Sequence, residues 1–217
     1  MIDIKKYPRT PHVEGSGIQR GDDDLTTVPF DALVGRHLVV TEKMDGANCA
    51  IRFTAEGELL LQSRGHYLAG GAREQQFHLF KAWAHRYAGD LLDVLEDRYI
   101  MYGEWLYAKH SVFYTCLPHY FLEFDIYDTV EEVFLSAKAR RALRTAMPFV
   151  DSVRVLHEGT IPSLRTLIDF VQTSPFIGAD VVERLKAACQ ERGLDADLAL
   201  RQTDTSRLME GLYIKAE

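Results

Sequence analysis

Thr41-Glu42-Lys43-Met44-Asp45-Gly46-Ala47-Asn48 is the most informative segment of this chain. It lies between two β-rich runs, Leu38-Val39-Val40-Thr41 and Cys49-Ala50-Ile51-Arg52-Phe53-Thr54. Asp-Gly between such runs is a strong hairpin signal, so the spacing predicts two antiparallel strands closed by a tight turn at Asp45-Gly46. Lys43 ends the first run, which aims its amine from a rigid strand edge. A lysine amine is protonated up to a pKa of about 10.4, and it becomes a nucleophile only where its surroundings favour the neutral form. Gly46, lacking a Cβ, lets a ligand approach the backbone closely. Taken alone, Lys-x-Asp-Gly also fits a surface hairpin with a snorkelling lysine.

Outward from this segment, Glu56-Gly57 predicts a second turn into a strand at Leu59-Leu60-Leu61, antiparallel to the first two. Apolar residues at Phe77, Phe80, Trp83, Ala84, Tyr87, Leu91, Leu92 and Leu95 recur at helical spacing and predict one helix over 74–95. Tyr99-Ile100-Met101-Tyr102 and Tyr120–Tyr127 read as strands, as do Val153–Leu156 and Leu212-Tyr213-Ile214. Helices are expected near 136–147, 163–173 and 180–193, with Ser136 and Ser163 as N-caps. Lys138, Arg140, Arg141 and Arg144 then form a basic run that most often is a solvated helix face. The first thirty or so residues, rich in proline and glycine and carrying Asp22-Asp23-Asp24, read as an extended lead-in. Within it, Lys5, Lys6, Arg9 and His12 are more often surface residues than phosphate contacts. Strands first and helices mostly later make the fold class α+β.

The 217 residues carry 25 Lys plus Arg against 32 Asp plus Glu, a net charge of −7 that excludes a broad basic surface for nucleic acid. Three cysteines, far apart, exclude a disulfide scaffold or a cysteine zinc site. The eight histidines show no zinc-protease spacing, and neither a Gly-x-Ser-x-Gly elbow nor a glycine-rich phosphate loop occurs. With no signal-like N-terminus and no long apolar run, a cytoplasmic protein without membrane contact is expected.

Five segments in order carry more weight than any one of them. Lys43-Met44-Asp45-Gly46 resembles motif I of the covalent nucleotidyltransferases, which comprise ATP-dependent DNA and RNA ligases and GTP-dependent mRNA capping enzymes. Ser63-Arg64 looks like the arginine-bearing motif after the second strand. Tyr102-Gly103-Glu104-Trp105 resembles motif III, Phe121-Leu122-Glu123-Phe124-Asp125-Ile126 the aromatic motif IIIa, and Glu210-Gly211-Leu212-Tyr213-Ile214-Lys215 motif IV. Glu42 before the lysine and Asn48 after the turn, with Phe-x-x-Phe-Asp-Ile, look most like RNA ligases of the nick-sealing type.

The resemblance implies a nucleotidyltransferase (ATP-grasp-like ligase) core of antiparallel sheets flanked by helices. It implies that Lys43 attacks the α-phosphate of ATP and holds AMP, which passes to an RNA 5′-phosphate before a 3′-hydroxyl seals the strand. By the same resemblance Glu42 or its backbone reads the adenine edge, Phe124 stacks the base, Glu104 accepts a ribose hydroxyl and Arg64 holds a phosphate or ribose edge. Asn48 orients the phosphate of the nick, Lys215 belongs to the nucleotide site, and Glu210 is the carboxylate on the side of Mg²⁺ or Mn²⁺. Displacement at a polyanion needs charge neutralisation, and hard oxygen ligands suit those ions. The family also carries a motif V with two lysines after motif IV, whereas this sequence closes on Lys215-Ala216-Glu217. Residues 1–217 are therefore expected to be an adenylyltransferase domain ending before motif V, with no C-terminal accessory domain. A DNA ligase, a capping guanylyltransferase and a nucleotide- or RNA-binding module without transfer chemistry stay open at this point.

Overall fold

A computed structural model describes residues 3–17 and 26–217, so the Asp22-Asp23-Asp24 run lies outside the described residues. In chain order the elements are β1 (His12–Val13), β2 (Thr27–Val28), β3 (Leu38–Lys43), β4 (Ala47–Phe53), β5 (Leu59–Ser63), α1 (His78–Arg86), α2 (Ala88–Leu95), β6 (Tyr99–Trp105) and β7 (Phe121–Asp128). They continue with β8 (Val133–Phe134), α3 (Ala137–Arg144), β9 (Asp151–Ser152), β10 (Val155–Gly159), α4 (Leu164–Ile168), α5 (Val181–Glu191), α6 (Ala196–Arg201) and β11 (Gly211–Ala216). The class is α+β: a short parallel pair, β1 with β2, and two larger, largely antiparallel sheets with helices packed outside them. One sheet has the order β10-β3-β11; the other has the order β5-β4-β6-β7-β8, with β9 parallel to β7.

The expected hairpin at Asp45-Gly46 does not form. β3 is central in its own sheet, flanked by β10 and β11, and β4 lies in the other sheet between β5 and β6. The turn is instead a crossover between sheets, because its backbone groups bond elsewhere. The Asp45 N–H donates to the Tyr114 hydroxyl at 2.8 Å and the Gly46 N–H to Glu104 Oε1 at 3.1 Å. Here the chain skims the end of β6, where a Cβ on residue 46 would sit 2.6 Å from the Trp105 carbonyl oxygen. Glycine is needed for close approach to the protein's own backbone. The second expected turn holds: β4 and β5 pair antiparallel from Cys49 opposite Ser63 to Phe53 opposite Leu59.

Alternation along β4 divides its side chains between two cores. Cys49, Ile51 and Phe53 face the helical layer and pack with Phe80, Ala84, Leu91 and Leu95, while Ala50 faces a second cluster with Tyr102 and Tyr127. The predicted helix over 74–95 is three pieces: a 3₁₀ turn over Ala72–Phe77, then α1, then α2. Tyr87 leaves helical geometry at φ −104° and ψ 17°, and its ring stacks on Phe149 at 4.2 Å. The smaller sheet has its own core of Phe30, Leu38, Val40, Ile161 and Leu167.

Ser136 and Ser163 cap α3 and α4 as read from the sequence, accepting from the N–H groups of Ala139 and Thr166. The basic run on α3 is only partly a solvated face: Lys138 and Arg141 are exposed, whereas Arg140 is buried and Arg144 half-buried. Arg140 donates through Nε and a terminal nitrogen to fully buried Glu123 at 2.8 and 3.2 Å. Arg141 pairs with Glu158, and Arg144 donates to the Val150 carbonyl at 2.7 Å. The expected strand over 153–156 resolves into β9 and β10, with Val153 between them buried against Met44, Leu106 and Leu122. No described helix is long and apolar enough to cross a membrane.

Candidate active site

Between the two larger sheets lies a cavity of about 720 Å³, lined by the whole crossover from Thr41 to Asn48. Each of its functional side chains gets there through strand register. Lys43 stands opposite Gly211 in the β3–β11 ladder, which puts the preceding residue, Glu210, beside the lysine. The Lys43 ammonium nitrogen lies 2.5 Å from Glu210 Oε1; the lysine side chain is 49% exposed and the glutamate 9%. Asn48 stands opposite Glu104 in the β4–β6 ladder, so the two side chains share one face of the sheet. Arg64 follows the last residue of β5 and stands exposed on the cavity wall.

Phe124 reaches the cavity by a local irregularity. Across β6 and β7, Tyr102 pairs with Asp125 but Gly103 pairs with Glu123. Phe124 is therefore the extra residue of a β-bulge, a feature that re-aims a side chain and interrupts the ladder. Its half-buried ring lines the cavity with Glu42, which is 1% exposed. Neither Glu42 carboxylate oxygen has a partner in hydrogen-bond geometry, nor does Asn48 Oδ1. Burial pushes the Glu42 carboxyl up, although Ser174 and Arg154 nearby offset part of that.

Glu104 is a strongly perturbed acid facing the cavity. Burial pushes its carboxyl up to about 8, the negative charges of Glu210 and Asp45 push the same way, and the Gly46 N–H and Lys43 oppose them. It can thus hold a proton at neutral pH in the absence of a ligand. Asp45 also lines the cavity, and one of its carboxylate oxygens accepts from the Ser111 N–H (2.6 Å), the Ser111 hydroxyl (2.7 Å) and the Val112 N–H (2.7 Å). Those bonds and Tyr114 clamp the turn that follows Lys43.

Seven of the sequence-predicted residues, Glu42, Lys43, Asn48, Arg64, Glu104, Phe124 and Glu210, line this one cavity. Lys215 does not. Its ammonium donates to Asp125 Oδ1 at 2.8 Å and to the Leu135 carbonyl at 2.6 Å, because its position on β11 turns it toward β7. Sequence reasoning missed Tyr7 and Tyr114, since no spacing signals that a distant tyrosine will meet a motif residue, and it read Tyr213 only as part of motif IV and its strand. Among the described residues no group of three or more His, Cys, Asp or Glu forms a metal cage. The donor set around Lys43 nevertheless suits a hard cation that keeps its waters and takes one or two carboxylates plus phosphate oxygens, with Glu210 as the carboxylate.

The fold has known counterparts. A Naegleria gruberi RNA ligase mutant with ATP and Mn is similar at a TM-score of 0.54 and 18% identity, covering 86% of this chain and 48% of that one. A second mutant of that ligase, with AMP and Mn, gives a TM-score of 0.55 at 16% identity over the same shares. The chain thus spans about half the length of these structures, and at such identity the likeness is one of fold. A comparison with curated proteins gives no match. The RNA ligase family matches residues 36–217, a span from the start of the smaller sheet through Lys43 to Glu210 and β11. This chain belongs to the RNA ligase family.

Proposed function

We propose that this protein is an ATP-dependent RNA ligase that works through a covalent lysyl-AMP on Lys43. One observation carries the reading: a lysine amine at the end of a rigid central strand opens into a nucleotide-sized cavity with a carboxylate 2.5 Å away. In the first step the Lys43 nitrogen attacks the α-phosphorus of ATP, the N–P bond forms, the bond to the β-phosphate oxygen breaks and pyrophosphate leaves. Glu210 is placed to take the proton that the amine must lose. A divalent cation, held by Glu210 and the phosphates when bound, supplies neutralisation of the polyphosphate charge. Phe124 offers a face to the base, Glu104 meets the ribose and Arg64 a phosphate. Asn48, with its carbonyl oxygen unpartnered, has donor and acceptor capacity for the incoming end.

In the second step an oxygen of the RNA 5′-phosphate attacks the phosphorus of lysyl-AMP, and the N–P bond breaks to free Lys43. In the third a 3′-hydroxyl attacks that 5′-phosphorus and AMP leaves, which seals the strand. The experiment is incubation with ATP radiolabelled at the α-phosphate and Mg²⁺. Label should stay on the protein through denaturation and be absent from Lys43→Ala. Absence of label on the wild-type chain sinks the proposal. GTP in parallel, and nicks in RNA and DNA, test the nucleotide and the strand.

A further inference from the structure

The family match begins at residue 36, yet the cavity wall includes Tyr7, Pro8, Arg9, Thr10 and His12, all upstream of it. Residues 3–13 form a strap that bridges the two sheets. At one end the Lys5 carbonyl accepts from Gln62 Nε2 and from the Tyr102 hydroxyl, each at 2.8 Å. The Lys5 ammonium donates to the Tyr127 hydroxyl at 3.0 Å, so the strap is fastened to β5, β6 and β7. At the other end Val13 packs into the core of the smaller sheet.

Tyr7 sits at the middle of this bridge. Pro8 confines the residue before it, Tyr7, to extended backbone. Its ring meets Phe124 edge-on, with centroids 5.0 Å apart, and also meets Tyr102 at 5.1 Å and Phe134 at 5.2 Å. Its hydroxyl donates to Asp125 Oδ2 on β7 at 3.1 Å and lies 2.6 Å from the Tyr213 hydroxyl on β11. Phe124, as the extra residue of the bulge, has no cross-strand partner to pin its ring. The Phe124 ring packs beside two core clusters, one with Met44 and Leu122 and one with Ala50 and Tyr102, and the near-perpendicular contact with Tyr7 adds an aromatic constraint to them.

We infer that Tyr7 is a positioning residue: it holds the Phe124 ring in the orientation that takes the purine of a nucleoside triphosphate, and so makes a segment outside the family-matched core part of the nucleotide site. This rests on the nucleotide reading of the cavity above. It differs from a merely structural role because only the base, not the polyphosphate, depends on Phe124.

Calorimetric titration of the full chain with ATP, and separately with inorganic tripolyphosphate, each with Mg²⁺, distinguishes the two. Tyr7→Ala should weaken ATP binding about tenfold, the scale of losing an aromatic contact and the stacking it supports. Its tripolyphosphate affinity should stay within about twofold of wild type. Tyr7→Phe keeps the ring and loses only the hydroxyl, so it should retain ATP affinity within about threefold. The inference is overturned if Tyr7→Ala binds ATP as wild type does, if ATP and tripolyphosphate weaken equally, if Tyr7→Phe is as weak as Tyr7→Ala, or if the wild-type chain binds no ATP. Binding of ATP without covalent label on wild type would instead sink the lysyl-AMP proposal and leave the role of Tyr7 standing.

Discussion

Glu104 shows how much of this site's chemistry is set by neighbours. Its carboxyl ordinarily titrates near 4.5 and is pushed up to about 8 by burial, with Glu210 and Asp45 adding to the effect. Between those values the folded protein holds a proton there that the unfolded chain has released. The stability tied to that proton is therefore whole below about 4.5 and is lost as the pH rises toward 8. Glu104→Gln keeps an acceptor for the Gly46 N–H and removes the titration. The melting temperature of the variant minus that of wild type, measured without nucleotide and with a chelator, should climb from pH 5 to 8 and then level. Each kcal/mol of the difference corresponds to about 2–4 °C. A flat difference would show that Glu104 is already ionised at neutral pH. Gly46 makes a steric prediction at the same scale. A Cβ there lies 2.6 Å from a carbonyl oxygen that cannot swing away. Gly46→Ala should cost about 1–3 kcal/mol in denaturant unfolding and strongly reduce covalent labelling, because Lys43 sits three residues upstream on the same turn.

At the scale of elements, α3 is held to the larger sheet by charge as well as by apolar contact. Glu123 on β7 is fully buried, takes two bonds from Arg140 and also meets Ser152. Removing one partner of such a pair leaves a buried charge uncompensated, so Arg140→Ala should destabilise by about 3–5 kcal/mol. Replacing both partners at once, as Arg140→Met with Glu123→Leu, should cost clearly less, and equal losses in the single and double variants would refute the electrostatic account. The α1 layer depends on packing instead. Phe80 is fully buried with Trp83, Trp105 and Phe121 around its ring at 5.3–6.3 Å. Phe80→Ala should cost about 3–5 kcal/mol in urea unfolding. The break at Tyr87 coincides with a packing contact as well, its ring stacked on Phe149 at 4.2 Å.

For the whole molecule, a net charge of −7 has to coexist with the polyanionic ligand proposed for it. The cavity resolves this locally rather than globally: Arg9, Lys43 and Arg64 line it against Glu42, Asp45, Glu104 and Glu210, and burial favours the neutral forms of Glu42 and Glu104. With so few cations, RNA binding should depend weakly on salt. A plot of log affinity against log salt should slope at about −2, roughly 0.7 per phosphate neutralised, and a slope several times steeper would mean a basic surface elsewhere. Much of the site was legible before any coordinates, because five short motifs in fixed order tied Lys43, Arg64, Glu104, Phe124 and Glu210 together, and alternation and helical spacing placed most strands and helices. Local patterns carry that information since they arise from backbone geometry within a few residues. The rest was decided by contacts across the chain. Asp-Gly between two β-runs reads as a hairpin, but β10 and β11 occupy both edges of β3, so the turn became the crossover that forms the cavity floor. The basic run on α3 reads as a solvated face, but Glu123 on β7 turned Arg140 inward. Lys215 reads as a site residue, but Asp125 holds it away, and Tyr7, unremarkable in sequence, was brought to Phe124 by the strap. Pairing, ion partners and close approach between distant segments are properties of the folded chain, and no local pattern encodes them.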